Sequence, residues 1–192
     1  MLSIESVALA DDIVFAHSLC SETPPLNGLV ARPATDADLP FLAALYASLR
    51  AREVAATGWT PARQQAFLAD QFLCQHRYYH AHFGDAAFLM LERGSQPIGR
   101  LYARIHDGVL TLIDISLIAP ARGQGLGGAL LGRLSALADD AGLEMSLAVE
   151  PDNPARRLYE RHGFAPHDDS GFYLRMLRAA RRAPTNAPAR PA

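Results

Sequence analysis

An apolar run that ends in a cluster of glycines constrains this chain more than any other stretch. Residues 109–118, VLTLIDISLI, are apolar at nearly every position, as a strand covered on both faces is. Shortly after, Gly123, Gly125, Gly127 and Gly128 crowd into six positions, and apolar residues then recur at helical spacing through Leu137. Glycines without Cβ atoms let a ligand approach the backbone. The first amides of a helix are unpaired donors at the positive end of a dipole. Together they suit a phosphate or pyrophosphate, and Arg122 adds a charge-assisted donor beside them. The bland alternative, a tight turn with a surface arginine, does not need so many glycines.

The rest of the chain alternates around this unit. LVARPA reads as a strand. Thr35 caps a helix with Asp36 and Asp38 in its first turn, and Thr60-Pro61 opens a second helix that runs to about His80. AAFLMLER and PIGRLYARIH flank Gly94-Ser95 as a hairpin, and LEMSLAVE is a further strand. Asn153-Pro154 begins a short helix that stops at Gly163, and GFAPHDD with GFYLRML closes as a last hairpin. The order β-α-α-β-β-β-α-β-α-β-β predicts an α/β fold with a mixed sheet. Residues 1–28 read as an extension and 29–178 as the domain. Residues 179–192 read as a disordered tail, because RAARRAPTNAPARPA has no apolar face to repay its ordering.

Composition removes whole classes of function. A net charge of −2 lacks the basic excess of a general nucleic-acid binder, and no apolar run approaches a membrane span. The first residues carry Glu5, Asp11 and Asp12 and no basic residue, unlike a secretory signal. Cys20 and Cys74 form no CxxC unit, so reduced thiols in a cytoplasm are the simplest reading.

Two nucleotide motifs compete for the loop. Gly123, Gly125 and Gly128 satisfy GxGxxG literally. However, Pro120-Ala121-Arg122 separate them from the strand, and the 64 residues after Gly128 are too few for the rest of a dinucleotide-binding domain. A Walker A loop needs Gly-Lys-Ser/Thr, whereas Gly128 is followed by Ala129 and Leu130. The alternative pattern is Arg-x-x-Gly-x-Gly, met by Arg122, Gly125 and Gly127. Here the sequence resembles the GNAT superfamily of acyl-CoA-dependent N-acyltransferases. A second anchor is the spacing Asn153, Ala155, Leu158-Tyr159, Gly163-Phe164, similar to that family's later motif. The resemblance covers about residues 29–178. It implies a three-layer fold, with a mixed, mostly antiparallel central sheet and helices on both faces.

The resemblance implies acetyl-CoA as co-substrate, bound by Arg122, Gly123, Gln124, Gly125, Leu126, Gly127 and Gly128, with Asn153 as a further contact to the cofactor arm. It implies that the strand before the loop splays from LEMSLAVE to admit the pantetheine. The Leu117 amide would then face the thioester carbonyl as an oxyanion donor. Tyr159 matches the tyrosine near the thioester sulfur, where it would protonate or hydrogen-bond the leaving thiolate; from spacing alone it is a packing tyrosine. Asn153 by itself is a helix cap. Where some relatives carry a glutamate base this chain has Ala148, so Asp114 is the best acidic candidate. A core Asp bonded to its neighbours, or a water chain in place of any single base, are the other readings.

The acceptor side is read from the second helix. Gln71 and Gln75 share a face with apolar residues and either line an acceptor pocket or bond neighbouring loops; Trp59 either walls that pocket or packs. His76 and His80 are four apart, but no third ligand accompanies them, and no metal is expected. The function expected is acetyl transfer from acetyl-CoA to a primary amine, on a small molecule or peptide, by direct attack through a tetrahedral intermediate. The protein would be a cytoplasmic monomer or homodimer with no nucleic-acid or membrane partner. A non-catalytic acyl-CoA-binding module is the alternative.

Overall fold

A computed structural model describes residues 15–20, 24–169 and 171–181. Among them, seven strands form one sheet: β1 (Leu29–Pro33), β2 (Ala87–Arg93), β3 (Gln96–His106), β4 (Val109–Leu117), β5 (Glu144–Val149), β6 (Ala165–Asp169) and β7 (Leu174–Arg178). Their spatial order is β1-β2-β3-β4-β5-β7-β6, and β4–β5 alone is parallel. After residue 28 the described α-helices are α1 (Leu39–Ala55), α2 (Pro61–His82), α3 (Leu126–Ala141) and α4 (Arg156–Arg161). The element order and the layering are those expected from the sequence.

Local chemistry sets the helix starts. The Thr35 amide donates to the Asp38 carboxylate at 2.8 Å, and Arg32 grips both Asp38 oxygens at 2.8 and 2.7 Å. The Arg32 guanidinium holds the Asp38 carboxyl down at about 2. Thr60 accepts from the Arg63 amide and Pro61 takes the first helical position of α2, as its missing N–H allows.

Each face of the sheet is covered differently. On one, Leu126, Leu130, Leu131 and Leu134 of α3 bury against Leu110, Leu112, Met145, Leu147 and Met176. Ala16, Leu19 and Leu26 join the same core, and Arg133 of α3 donates to the Ser18 carbonyl at 2.8 Å. So the described part of the expected N-terminal extension packs on the domain, while residues 1–14 and 21–23 lie outside the described residues. On the other face, α1 and α2 enclose Leu42, Tyr46, Phe72 and Met90. The ion pair of Arg178 with Asp139, at 2.6 Å, fastens β7 to α3, and the Arg181 amide donates to the same carboxylate. The chain is therefore attached as far as Arg181, three residues into the expected tail; the remainder of the tail lies outside the described residues.

Strand β4 positions the site. It pairs with β3 along its whole length, Gly99 facing Leu117 and His106 facing Val109, but with one residue too many: Tyr102 faces Asp114 and Ala103 faces Leu112, leaving Ile113 as a bulge. A bulge bends a strand and raises its twist. At the same level pairing with β5 stops, after Leu112 and Leu147. Residues 113–117 therefore diverge from Ala148 and Val149, and a fork opens in the middle of the sheet.

Candidate active site

The fork is lined by backbone at its root and by the glycine loop at its mouth. The Ile118 amide donates to the Ile98 carbonyl at 2.9 Å, across β3. Alternate residues of a strand address opposite neighbours, so the Leu117 amide turns to the other side, toward the fork. Its carbonyl, on that same side, accepts from Nε of Arg122 at 2.7 Å. Arg122 thus straps the loop to the strand end. Gln124 donates to the Pro120 carbonyl at 2.7 Å, closing a turn within the loop.

The glycine cluster divides into two pairs. Gly123 and Gly125 hold φ of 74° and 78°, where a side chain is strained, and a Cβ on Gly123 would meet open space. Their amides and those of Leu126, Gly127 and Gly128 head α3, the donor array that suits an anion. Gly128 lies under α4: a Cβ there would stand 3.4 Å from Cδ1 of Leu158, an ordinary packing contact.

Tyr159 is carried on α4. The ring is partly buried and meets Phe164 edge-on, with centroids 6.1 Å apart. Burial, with the Asp114 charge second, pushes the Tyr159 hydroxyl up to about 12. A hydroxyl shifted in this direction stays protonated and can donate a hydrogen bond. Asn153 accepts from the Ala155 amide at 2.9 Å, an Asx turn ahead of α4, whose N-cap is Ala155 and not the Asn153 that the sequence suggested.

Asp114 lies on the opposite side of the fork in a polar network. Arg100, almost wholly buried on β3, pairs with it at 2.8 Å and bonds Gln75 of α2 at 2.8 Å with the same nitrogen. Ser116 donates to the other Asp114 oxygen at 2.6 Å, and the Tyr79 hydroxyl approaches at 3.4 Å. Burial raises the Tyr79 pKa, the Asp114 charge adding to it. The carboxylate is thus the bonded core Asp that the sequence offered as one of its readings, held at the edge of the fork. Gln75 joins this network through Arg100. Gln71 is exposed. Trp59 lies at the other end of α2, edge-on to Phe67 at 5.2 Å and under the Arg63 guanidinium at 4.4 Å. His76 stacks on Phe72 and His80 on Phe88. Among the described residues no cluster of three metal-ligating side chains occurs.

Beyond α2, the sheet face over β4, β5, β7 and β6 is uncovered and carries a groove of about 370 Å³ lined by Thr111, Ser146, Ala148, Asp168, Tyr173 and Arg175. None of these except Ala148 was singled out in the sequence, where each is an ordinary polar strand residue. Gly99 and Arg100 were also missed. A glycine inside a strand pattern signals close backbone approach, and a Cβ there would lie 2.7 Å from Cδ2 of Leu117 and closer still to the Ser116 carbonyl.

The acetyltransferase (GNAT) family profile matches residues 49–164, and the chain belongs to that family. No curated protein matches it. Among solved structures it is similar to the PaiA N-acetyltransferase of Thermoplasma acidophilum in complex with coenzyme A: 19% identity, 79% of this chain, 98% of that one, TM-score 0.58. It is similar also to an acetyltransferase of Thermus thermophilus (22% identity, 79% and 96%, TM-score 0.56). A third is the ribosomal-protein-S18-alanine N-acetyltransferase of Escherichia coli (19% identity, 83% and 98%, TM-score 0.54). At these identities the likeness is one of fold. Among the described residues no helix is long and apolar enough to cross a membrane.

Proposed function

We propose that the protein transfers the acetyl group of acetyl-CoA to a primary amine. The observation that carries this reading is the fork: β4 leaves β5 after Leu112, with the Leu117 amide turned into the opening, beside a loop whose amides suit a pyrophosphate. In this reading residues 122–128 hold the pyrophosphate and the pantetheine lies in the fork. Arg122 must release the Leu117 carbonyl or keep the loop strapped while its outer nitrogens face the phosphates.

Transition-state charge appears first on the thioester oxygen and then on sulfur. A positioned backbone donor such as the Leu117 amide is worth about 3 kcal/mol of barrier. At about 12, Tyr159 stays protonated at neutral pH and donates a hydrogen bond to the departing sulfur, because full transfer to a thiolate of ordinary basicity is uphill. Asp114 faces the fork already bonded to Arg100 and Ser116, so it serves as a fixed negative charge that attracts and orients the ammonium; the ammonium proton leaves through water. Asn153 shapes the turn that presents α4.

Thiol release from acetyl-CoA with a panel of amines, beside calorimetric titration of acetyl-CoA, tests the reading. Turnover is expected. Gly125→Val is expected to weaken acetyl-CoA binding tenfold or more, because a branched side chain at φ 78° strains the turn and occupies the phosphate approach. Tight binding without turnover on any amine would instead support the non-catalytic acyl-CoA module, and unchanged affinity in the variant would move the cofactor elsewhere.

A further inference from the structure

We propose that the groove beside the fork binds its acceptor by a carboxylate, with Arg175 as the specificity-determining residue, so that the substrates are small amino acids. This rests on the acetyltransferase reading above and narrows it.

Strand register supplies the geometry. Ala148 is the first β5 residue past the last β4–β5 pair, and so stands at the root of the fork. Arg175 is its partner on β7, and both line the groove. Neighbouring strands lie about 4.8 Å apart, so the Arg175 backbone is at least about 10 Å from that of β4. A guanidinium on that row and an amine at the fork are therefore spanned by a molecule with only a few bonds between amine and carboxylate. Ala148 leaves the intervening space open, and Thr111 and Ser146 place hydroxyls on its floor.

Charge points the same way. Among the described residues the exposed Arg175 guanidinium has no ion-pair or hydrogen-bond partner. The other arginines of the sheet's interior are committed: Arg100 to Asp114 and Arg178 to Asp139. A planar fork of donors in a concave site matches a carboxylate bidentately. Asp168, the register partner of Arg175 on the outer strand β6, lines the groove beside it without bonding the guanidinium, so an acid group would meet Arg175 from the β5 side. At the other end the Asp114 carboxylate favours the ammonium. The groove thus has a guanidinium where an acid group would lie and, toward the fork, a carboxylate whose charge is shared with Arg100. Its volume, about 370 Å³, is at the small end of metabolite sites.

The transfer balances without another reactant. The amine nitrogen bonds the acetyl carbon, the carbon–sulfur bond breaks, and the thiolate leaves with the electron pair. The bound ammonium has first given one proton to solvent; the second, lost from nitrogen as the amide forms, passes through water to the thiolate, giving N-acetyl amino acid, CoA and one proton in solution.

The test offers the full chain matched acceptors: glycine, L-alanine, L-serine, L-methionine, L-glutamate and L-phenylalanine, each beside its carboxamide, with spermidine and a C-terminally amidated peptide as further arms. At least one free amino acid is expected to exceed its amide tenfold or more in kcat/KM. Arg175→Gln should remove about tenfold or more of that rate for the free acid while leaving the amide within about twofold, and Arg175→Lys should fall between. Acetyl-CoA affinity should not change. Equal use of acids and amides, preference for spermidine or the capped peptide, or an Arg175→Gln defect of the same size on both members of a pair overturns the proposal and leaves acetyl transfer standing. Absence of thiol release with every acceptor overturns the proposal together with the reading beneath it.

Discussion

The two edges of β4 are built to opposite ends. Toward β3 it is paired over its whole length, pinned at the far end by Gly99 against Leu117 and tied through side chains by Arg100 and Asp114. Toward β5 it keeps only the pairs from Val109 to Leu112, and then its backbone groups face an opening. A strand can leave amides unpaired on one edge only if the other edge holds it still. The closed edge is therefore the support, and the open edge is where chemistry becomes available. Substitutions on the two edges should separate stability from turnover.

The largest effect is expected on the closed edge. Arg100→Met removes one partner of a buried ion pair and leaves the Asp114 carboxylate with Ser116 and Tyr79 only. Such losses cost about 3–5 kcal/mol, so denaturant unfolding should show a shift of that size. The double variant Arg100→Met, Asp114→Leu should recover a good part of it, because no charge is then stranded. A single variant as stable as the parent would show that the pair does not hold β3 to β4.

On the open edge the expected loss is kinetic. Tyr159→Phe keeps the ring against Phe164 and deletes the hydroxyl. About a 100-fold fall in kcat is expected, with acetyl-CoA affinity and unfolding midpoint unchanged, since the bond to sulfur strengthens only as charge develops. Steady-state kinetics beside calorimetry reads both. Turnover within about threefold of the parent would reduce Tyr159 to a packing residue and leave the amide and positioning to carry the reaction.

The smallest effect should appear where the edges communicate. Gly99→Ala forces a methyl against the Ser116 carbonyl and Cδ2 of Leu117. Overpacking of this kind costs about 1–3 kcal/mol. Because the displaced atoms belong to the residue whose amide enters the fork, turnover should fall by more than acetyl-CoA binding does. A stability loss with kcat untouched would mean that β4 can shift as a unit without disturbing the fork.

Much of this arrangement could be read along the chain. Thr35, Thr60-Pro61 and Gly163 mark element ends through local backbone chemistry, which a few neighbouring residues decide. Arg122 to Gly128 announce an anion-binding turn for the same reason. The groove was not legible in this way. Thr111, Ser146, Asp168 and Arg175 come from four strands and meet only because β7 inserts between β5 and β6. Gln71 shares a helix with Gln75 and Trp59 just precedes it, yet only Gln75 reaches the buried network, because Arg100 happens to rise beneath its turn.

The sequence by itself determined the order of elements, the phosphate-type loop and the family motifs, because hydrophobic period, caps and glycine geometry act over a few residues. Only the tertiary structure decided which way Asp114 points. By simple alternation Asp114 lies on the same face as Leu110 and Leu112, under α3. The extra residue at Ile113 shifts the phase, so that Ile115 and Leu117 now join that core while Asp114 turns to the opposite face and meets Arg100. One bulge, set by how β4 pairs with β3, rotates every following side chain by half a period and bends the strand away from β5. No local property of VLTLIDISLI states that a partner strand will be one residue short, and so the face of the carboxylate and the opening of the fork were settled by pairing alone.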